Sequence, residues 1–304
     1  MRIAACNEWV DLSSDSDFVF LTGDLGFMAL EPLKQAIGTR FINAGVAEQN
    51  MVSVAAGLAL EGMNPWVYSI APFCYARPFE QIRNDVCQHD LPVKFVGNGG
   101  GYGYGPMGSS HHALEDYGIL LTLPNMRAYI PALSDDLKSL VTILHGVDHP
   151  AYLRLGRCEK PNKQRIPEFS QWRKLLDGER MPIVTVGSIS GEYWNYCLNL
   201  PREKSPALWA LGKLPLETIT DIPDSLLNHI YERGICIVEE HCVQGSAGQQ
   251  LATILVSQGI KVRQFLHFFA TGYPSGRYGS QKFHRNDSGI AADVVIPKLI
   301  NLDG

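Results

Sequence analysis

The sequence predicts an α/β fold: two consecutive α/β domains, each built on a mostly parallel sheet. Three observations carry that expectation. The chain has 304 residues, enough for two domains at roughly 100–200 residues each. Short apolar runs alternate with helical stretches along most of its length, the pattern of strands joined by crossover helices. A polar stretch without period, Lys160-Pro161-Asn162-Lys163-Gln164-Arg165-Ile166-Pro167, interrupts the series. The expected division is therefore a first domain over 1–160, a linker over 161–180 and a second domain over 181–304.

In the first domain the apolar runs at 18–22, 40–44, 66–70, 92–96, 128–130 and 151–155 read as strands. A helix is expected from Ala47 to Leu60, with Ala55, Ala56, Gly57 and Ala59 permitting close packing, and Gly62 and Pro65 ending it. A second helix is expected from Pro78 to Cys87, with proline at its first position. In the second domain strands are expected at 182–186, 207–211, 235–238 and 261–265, and a helix after Gly245 running through Gln249 to Ser257.

Composition excludes several classes. Hydrophobic residues make up 45% and charged residues 19%, ordinary for a chain with a buried core. The net charge is −5 and no run of like charge marks a nucleic-acid or membrane-surface binder. No apolar run reaches the roughly 18 residues that span a bilayer, and Met1 to Glu8 lacks the apolar stretch of a signal peptide. The seven cysteines form no C-x-x-C pair, which fits reduced thiols better than disulfides or zinc. A cytoplasmic location is the expectation.

The most informative segment is Asn43-Ala44-Gly45-Val46-Ala47-Glu48-Gln49-Asn50-Met51. A lone glutamate opens a helix, just after a buried strand, among small apolar residues. Two readings stand: a helix-capping carboxylate favoured by the helix dipole, or an acid desolvated enough to keep its proton and donate a hydrogen bond. The glycine run from Gly97 to Gly108 contains a formal G-x-G-x-x-G at Gly103–Gly108. A dinucleotide loop is rejected because Pro106 stiffens it and no acidic residue follows in the expected strand.

Gly45-Val46-Ala47-Glu48-Gln49 with Ala55-Ala56-Gly57-Leu58-Ala59 resembles the pyrimidine-domain motif of transketolases and 1-deoxyxylulose-5-phosphate synthases. The likeness continues in order through Phe73 to Asn84, His111-His112-Ala113-Leu114-Glu115-Asp116, Leu123-Pro124-Asn125-Met126, Ile130-Pro131-Ala132 and Arg154-Leu155-Gly156-Arg157. Val238-Glu239-Glu240-His241 and Gly245-Ser246-Ala247-Gly248 are similar to that family's third domain. The resemblance implies a thiamine-diphosphate pyrimidine-binding domain followed by a transketolase C-terminal-like domain.

It also implies the chemistry. The cofactor is an electron sink, and its reactive tautomer forms when a carboxyl group hydrogen-bonds the pyrimidine N1′; Glu48 matches that residue. Phe73 matches an aromatic that stacks on the pyrimidine, and Ile70 stands at a second, usually aromatic, position. His111 matches the histidine facing the reacting carbon, against the reading of a surface or capping histidine. His112 replaces the family's usual Gln. Asp24 matches an acid near the thiazolium end, or is a helix cap. Met107 stands where sugar-phosphate transketolases carry a hydroxyl-binding Asp, and Gly99 where they carry a phosphate-contacting His. Arg2 and Arg154 match phosphate-contacting arginines, or form surface ion pairs worth under about 1 kcal/mol.

The family's diphosphate- and Mg²⁺-binding G-D-G…N segment has no counterpart in the sequence, and no metal ligand is assigned. The resemblance therefore implies the pyrimidine-side subunit of a split enzyme, active only with an N-terminal, diphosphate-binding partner that carries the Mg²⁺ ligands. An α2β2 heterotetramer is expected, moving a two-carbon ketol or acyl unit from a ketose or 2-oxoacid to an aldehyde. Two rivals stay open: the β subunit of a 2-oxoacid dehydrogenase or decarboxylase, and a regulatory or scaffold subunit that has lost the chemistry.

Overall fold

The computed structural model describes residues 1–302. The first sheet takes β1 (Phe18–Thr22), β2 (Phe41–Asn43), β3 (Asn64–Ile70), β4 (Lys94–Asn98), β5 (Arg127–Tyr129) and β6 (Ala151–Leu155). All five pairings among these six strands are parallel. β1 and β6 are buried along their whole length, because helices cover both faces of a parallel sheet. That is why they read as unbroken apolar runs rather than alternating ones. The helices are α1 (Arg2–Asp11), α2 (Glu31–Ile37), α3 (Glu48–Leu60), α4 (Ala71–Tyr75), α5 (Phe79–Gln81), α6 (Asp116–Leu120) and α7 (Asp136–His145). α3 buries Met51, Val52, Ala55, Ala56 and Ala59 along one stripe, the spacing of a helix lying on a sheet.

The second sheet takes β7 (Trp172–Leu176), β8 (Arg180–Val186), β9 (Pro206–Leu211), β11 (Ile235–Glu239) and β12 (Phe265–Phe269), in the order β12-β11-β8-β9-β7. Its helices are α8 (Ser190–Cys197), α9 (Asp224–Arg233), α10 (Ala247–Ser257), α11 (Gln281–Asp287) and α12 (Ala292–Leu302). Ser246 caps α10, its hydroxyl accepting from the Gln249 amide at 3.1 Å. A two-residue strand, β10 (Lys213–Leu214), leaves this region and pairs antiparallel with β5, closing the edge of the first sheet. The first sheet thus runs β10-β5-β6-β4-β3-β1-β2. One apolar cluster spans both sheets, from Val67 and Phe95 through Ala128 to Trp209 and Leu251.

Three elements depart from the sequence expectation. The segment 161–180 is not linker throughout: Trp172–Leu176 is β7, antiparallel to β9 with an irregularity between Lys174 and Leu176. As an edge strand it mixes two cations with its apolar residues, so it carries little periodic signal. The last strand lies at 265–269 rather than 261–265. The expected helix over 78–87 is α5 followed by a π-helical turn, Ile82–Cys87.

Candidate active site at the strand ends

β1 is flanked by β2 on one side and β3 on the other, so the chain leaves the sheet in opposite directions from adjacent strands. Such a switch point opens a crevice beyond the carboxyl ends of the strands, where open α/β sheets take their ligands. The sequence-predicted residues distribute around these ends. Asp24 follows β1 and Ile70 ends β3. Gly99 follows β4. Glu48 is the first residue of α3, directly after the loop that leaves β2.

Glu48 is buried, 4% exposed, yet it borders an open cleft of about 400 Å³ lined by Val46, Ala47, Gln49, Asn50 and Arg77. Its Oε1 accepts from Arg77 Nη1 at 2.8 Å. The Arg77 guanidinium in turn lies 4.0 Å from the centre of the Phe73 ring, a cation–π contact. Phe73 stands edge-on to His111 with ring centres 5.3 Å apart. His111 Nδ1 is 2.9 Å from the Ser110 hydroxyl, and Tyr104 packs at 5.7 Å. Glu48, Phe73 and His111 therefore form one contiguous row, although 25 and 38 residues separate them in sequence. Arg77 is the link that sequence reasoning missed. The signal was its position four residues after Phe73 on a helical path, where side chains meet.

Asp24 is exposed and its Oδ1 accepts from Asn43 Nδ2 at 3.1 Å. It caps no helix: the residue preceding α2 is Leu30. The Asp24 amide donates to Gly45 O at 2.7 Å, and Gly45 itself has φ +67°. That bond ties the β1 end to the turn that presents Glu48.

A second, smaller pocket of about 180 Å³ is lined by Met1, Arg2, Asn98, Gly99, Gly103, Tyr104, Gly156 and Arg157. Gly99 has φ +82°, and a side chain there would collide with the Tyr104 ring at 2.2 Å. Tyr104 thus fills the space that a larger residue at 99 would need, and Asn98 Nδ2 donates to its hydroxyl at 2.7 Å. Met107 is 58% exposed on the same loop.

Two predicted substrate contacts are corrected by the structure. Arg154 is 5% exposed and spends its guanidinium inside the protein. Nε donates to Asp116 at 2.7 Å, and Nη2 donates to the carbonyls of Ala113 and Glu240, each at 2.9 Å. Burial alone would lower its pKa, but the Asp116 carboxylate outweighs that and raises it. A cation in a strand covered on both faces must find a buried partner. The arginine that reaches the pocket is Arg157, two residues beyond β6. His112 is 3% exposed with Nδ1 2.8 Å from the Tyr273 hydroxyl and Nε2 2.8 Å from Gly105 O. Burial pushes its pKa down, and it faces protein rather than substrate.

The third-domain motif also proves structural. Glu239 accepts from the amides of Ala247 and Gly248 at 3.0 and 2.9 Å, at the start of α10. Burial would raise its pKa, but the bond to His267 and the surrounding charges hold it below the usual range.

A mostly parallel α/β sheet with a cleft at its strand ends, and a buried glutamate beside a half-buried aromatic, is an arrangement that suits a flat ring with a hydrogen-bonding edge. The family described as transketolase, pyrimidine binding domain, matches residues 11–161. The chain is 31% identical over 255 residues to a subunit of the apulose-4-phosphate transketolase of Phocaeicola vulgatus, covering 82% of this chain and 81% of that one. It is 28% identical over 288 residues to the protein of the same description from Actinobacillus succinogenes, covering 90% and 88%. A solved structure described as a split-gene transketolase, inactive beta4 tetramer, superimposes with a TM-score of 0.79 at 27% identity, covering 99% of this chain and 98% of that one. The chain belongs to the thiamine-diphosphate-dependent transketolase family. That membership decides between the two enzyme readings of the sequence in favour of the transketolase one.

Proposed function

We propose that this chain is the pyrimidine-side subunit of a two-chain transketolase that moves a two-carbon ketol unit from a ketose donor to an aldehyde. The observation that carries the reading is Glu48: a buried carboxyl group at a helix start, opening on a cleft beside Phe73. Those residues fit a flat aromatic heterocycle with a ring nitrogen, Phe73 and Ile70 offering apolar surface and Glu48 a carboxyl group at its edge. Thiamine diphosphate, when bound, supplies the electron sink that ketol transfer requires. Glu48 would hold and exchange a proton at the edge of the bound ring, Phe73 and Ile70 would hold its faces, and Asp24, beyond the end of β1, would be available to the cofactor's other ring. His111 moves a proton at the substrate carbonyl or hydroxyl.

The diphosphate group and its Mg²⁺ are held by a partner subunit in an α2β2 assembly located in the cytoplasm. Two features support the split arrangement: both relatives are described as one subunit of a transketolase, and a matching solved structure is described as split-gene. Arg2 and Arg157 at the 180 Å³ pocket supply positive charge for a phosphorylated substrate, in keeping with relatives named for a ketose phosphate.

The testing experiment is calorimetry of thiamine diphosphate with Mg²⁺, using this chain alone and with its partner. Losing two charge-assisted contacts at about 1.5 kcal/mol each weakens binding about 100-fold. The isolated chain should therefore bind at least that much more weakly than the assembly. Tight, Mg²⁺-dependent binding by the chain alone would refute the split arrangement.

Met107 offers a second test. Met107→Asp should raise kcat/KM toward 2-hydroxyaldehyde acceptors about fivefold to tenfold, one added hydrogen bond's worth. An acceptor profile identical to wild type would remove position 107 from substrate choice.

A further inference from the structure

The loop from Gly99 to His112 carries Met107 and His111, yet much of its fixing comes from outside its own domain. Gly105 and Gly108 have φ +51° and +77°, the left-handed region that favours glycine, so the chain turns tightly here. A side chain at Gly105 would meet the Gly279 carbonyl at 3.2 Å, and one at Gly108 the Tyr278 ring at 3.1 Å. Both neighbours belong to the second domain. Tyr278 also donates to Ser109 Oγ at 3.1 Å. Tyr102 is fully buried; its hydroxyl donates to Gly272 O at 2.8 Å, and its ring stacks on His284 at 4.9 Å.

His112 sits at the centre of this arrangement, one residue from His111. Its imidazole binds the loop on one side, at Gly105 O, and the second domain on the other, at the Tyr273 hydroxyl. A carbonyl can only accept, so Nε2 carries the proton and donates to Gly105. Nδ1 is then an acceptor, and Tyr273 donates to it. The two bonds fix the tautomer and span the domain boundary.

We infer that the His112–Tyr273 pair positions the His111 loop, so that the second domain sets the placement of the site's histidine. This deepens the proposed function and rests on His111 acting at the substrate. A glutamine amide can donate to Gly105 through N–H and accept from Tyr273 through its oxygen. His112 and Tyr273 are positioning residues and touch no reacting atom.

The test compares three variants of the full chain assembled with its partner: H112Q, which keeps a donor and an acceptor; H112L, which keeps neither; and Y273F, which removes one hydroxyl. Amide hydrogen exchange is read over residues 105–112 and the imidazole resonances of His111 are recorded. Loss of a buried hydrogen bond loosens a segment about tenfold. H112L and Y273F should therefore exchange about tenfold faster across this loop, with shifted or broadened His111 signals, while exchange in the β1–β3 region stays unchanged. H112Q should remain within about twofold of wild type. Wild-type loop exchange in H112L and Y273F would overturn the inference, and so would H112Q behaving like H112L. If H112L fails to fold, Y273F against H112Q decides. The readout involves no turnover, so failure here is separable from failure of the Glu48 reading, which is scored at the cofactor.

Discussion

Replacing Glu48 with Gln is expected to slow deuterium exchange at C2 of thiamine diphosphate by about 10²–10⁴-fold in the partner-assembled enzyme, the usual worth of a general acid–base step. The carboxyl group of Glu48 can pass a proton to a ring nitrogen and take it back; an amide can donate a hydrogen bond but transfers no proton. The two side chains are nearly the same size, and Glu48 sits at the start of α3 with Arg77 as its ion-pair partner. The fold should therefore survive. The deficit belongs to the reactive state, so it should appear in kcat more than in substrate KM. Exchange at the wild-type rate would reduce Glu48 to a residue that only complements the helix dipole, and the proposed function would lose its central observation.

The second large effect is expected at Arg154, and in stability rather than in substrate affinity. Arg154→Met keeps much of the length of the side chain but strips the fully buried Asp116 carboxylate of its cation, leaving it the Tyr152 hydroxyl at 2.8 Å. Removing one member of a buried ion pair typically costs about 3–5 kcal/mol. Urea unfolding of the purified chain should show a loss of that size, with the slope unchanged. The same substitution also removes bonds to the carbonyls of Ala113 and Glu240, which lie in different domains, so the two domains should loosen together. A variant as stable as wild type, with a raised KM for a phosphorylated substrate, would return Arg154 to the role its sequence position implied.

The contrast between these residues shows what can be read from the sequence. Strands buried on both faces announce themselves as apolar runs, so β1, β4 and β6 are legible, and with them the parallel sheet. Glu48 stands out as a lone carboxylate among small apolar residues, but at a helix start that pattern equally fits a carboxylate favoured by the helix dipole, and it is the family resemblance that assigns it to a cofactor. Arg154 misleads for a related reason. A charge inside an apolar strand signals a buried partner, and in a linear sequence that partner, Asp116, 38 residues earlier, looks no different from a ligand site. The Arg154–Arg157 motif places two arginines near the strand end, but only the extent of β6 shows which one emerges. β7 is hidden because an edge strand with Arg173 and Lys174 in its middle resembles solvated linker. Arg173 is in fact buried against Asp136, bonded at 2.5 Å. The helix α1 is equally hard to read: its buried residues, Ala5, Cys6 and Trp9, are too few to make a clear stripe in a polar segment.

The strand β10 bears on how such a chain can be divided. Its two residues come from beyond position 210, yet they cover the open edge of β5 in the first sheet. The stretch that the pyrimidine-binding family matches stops at 161, so a gene trimmed to that stretch would expose the backbone donors and acceptors of β5 to solvent and to other copies. Bare edges of this kind recruit neighbouring chains. The smallest transplantable unit with a sealed first sheet therefore extends through Leu214, well inside what a linear map assigns to the second domain. Recombination that exchanges second domains between relatives would have to carry a matching edge strand with them.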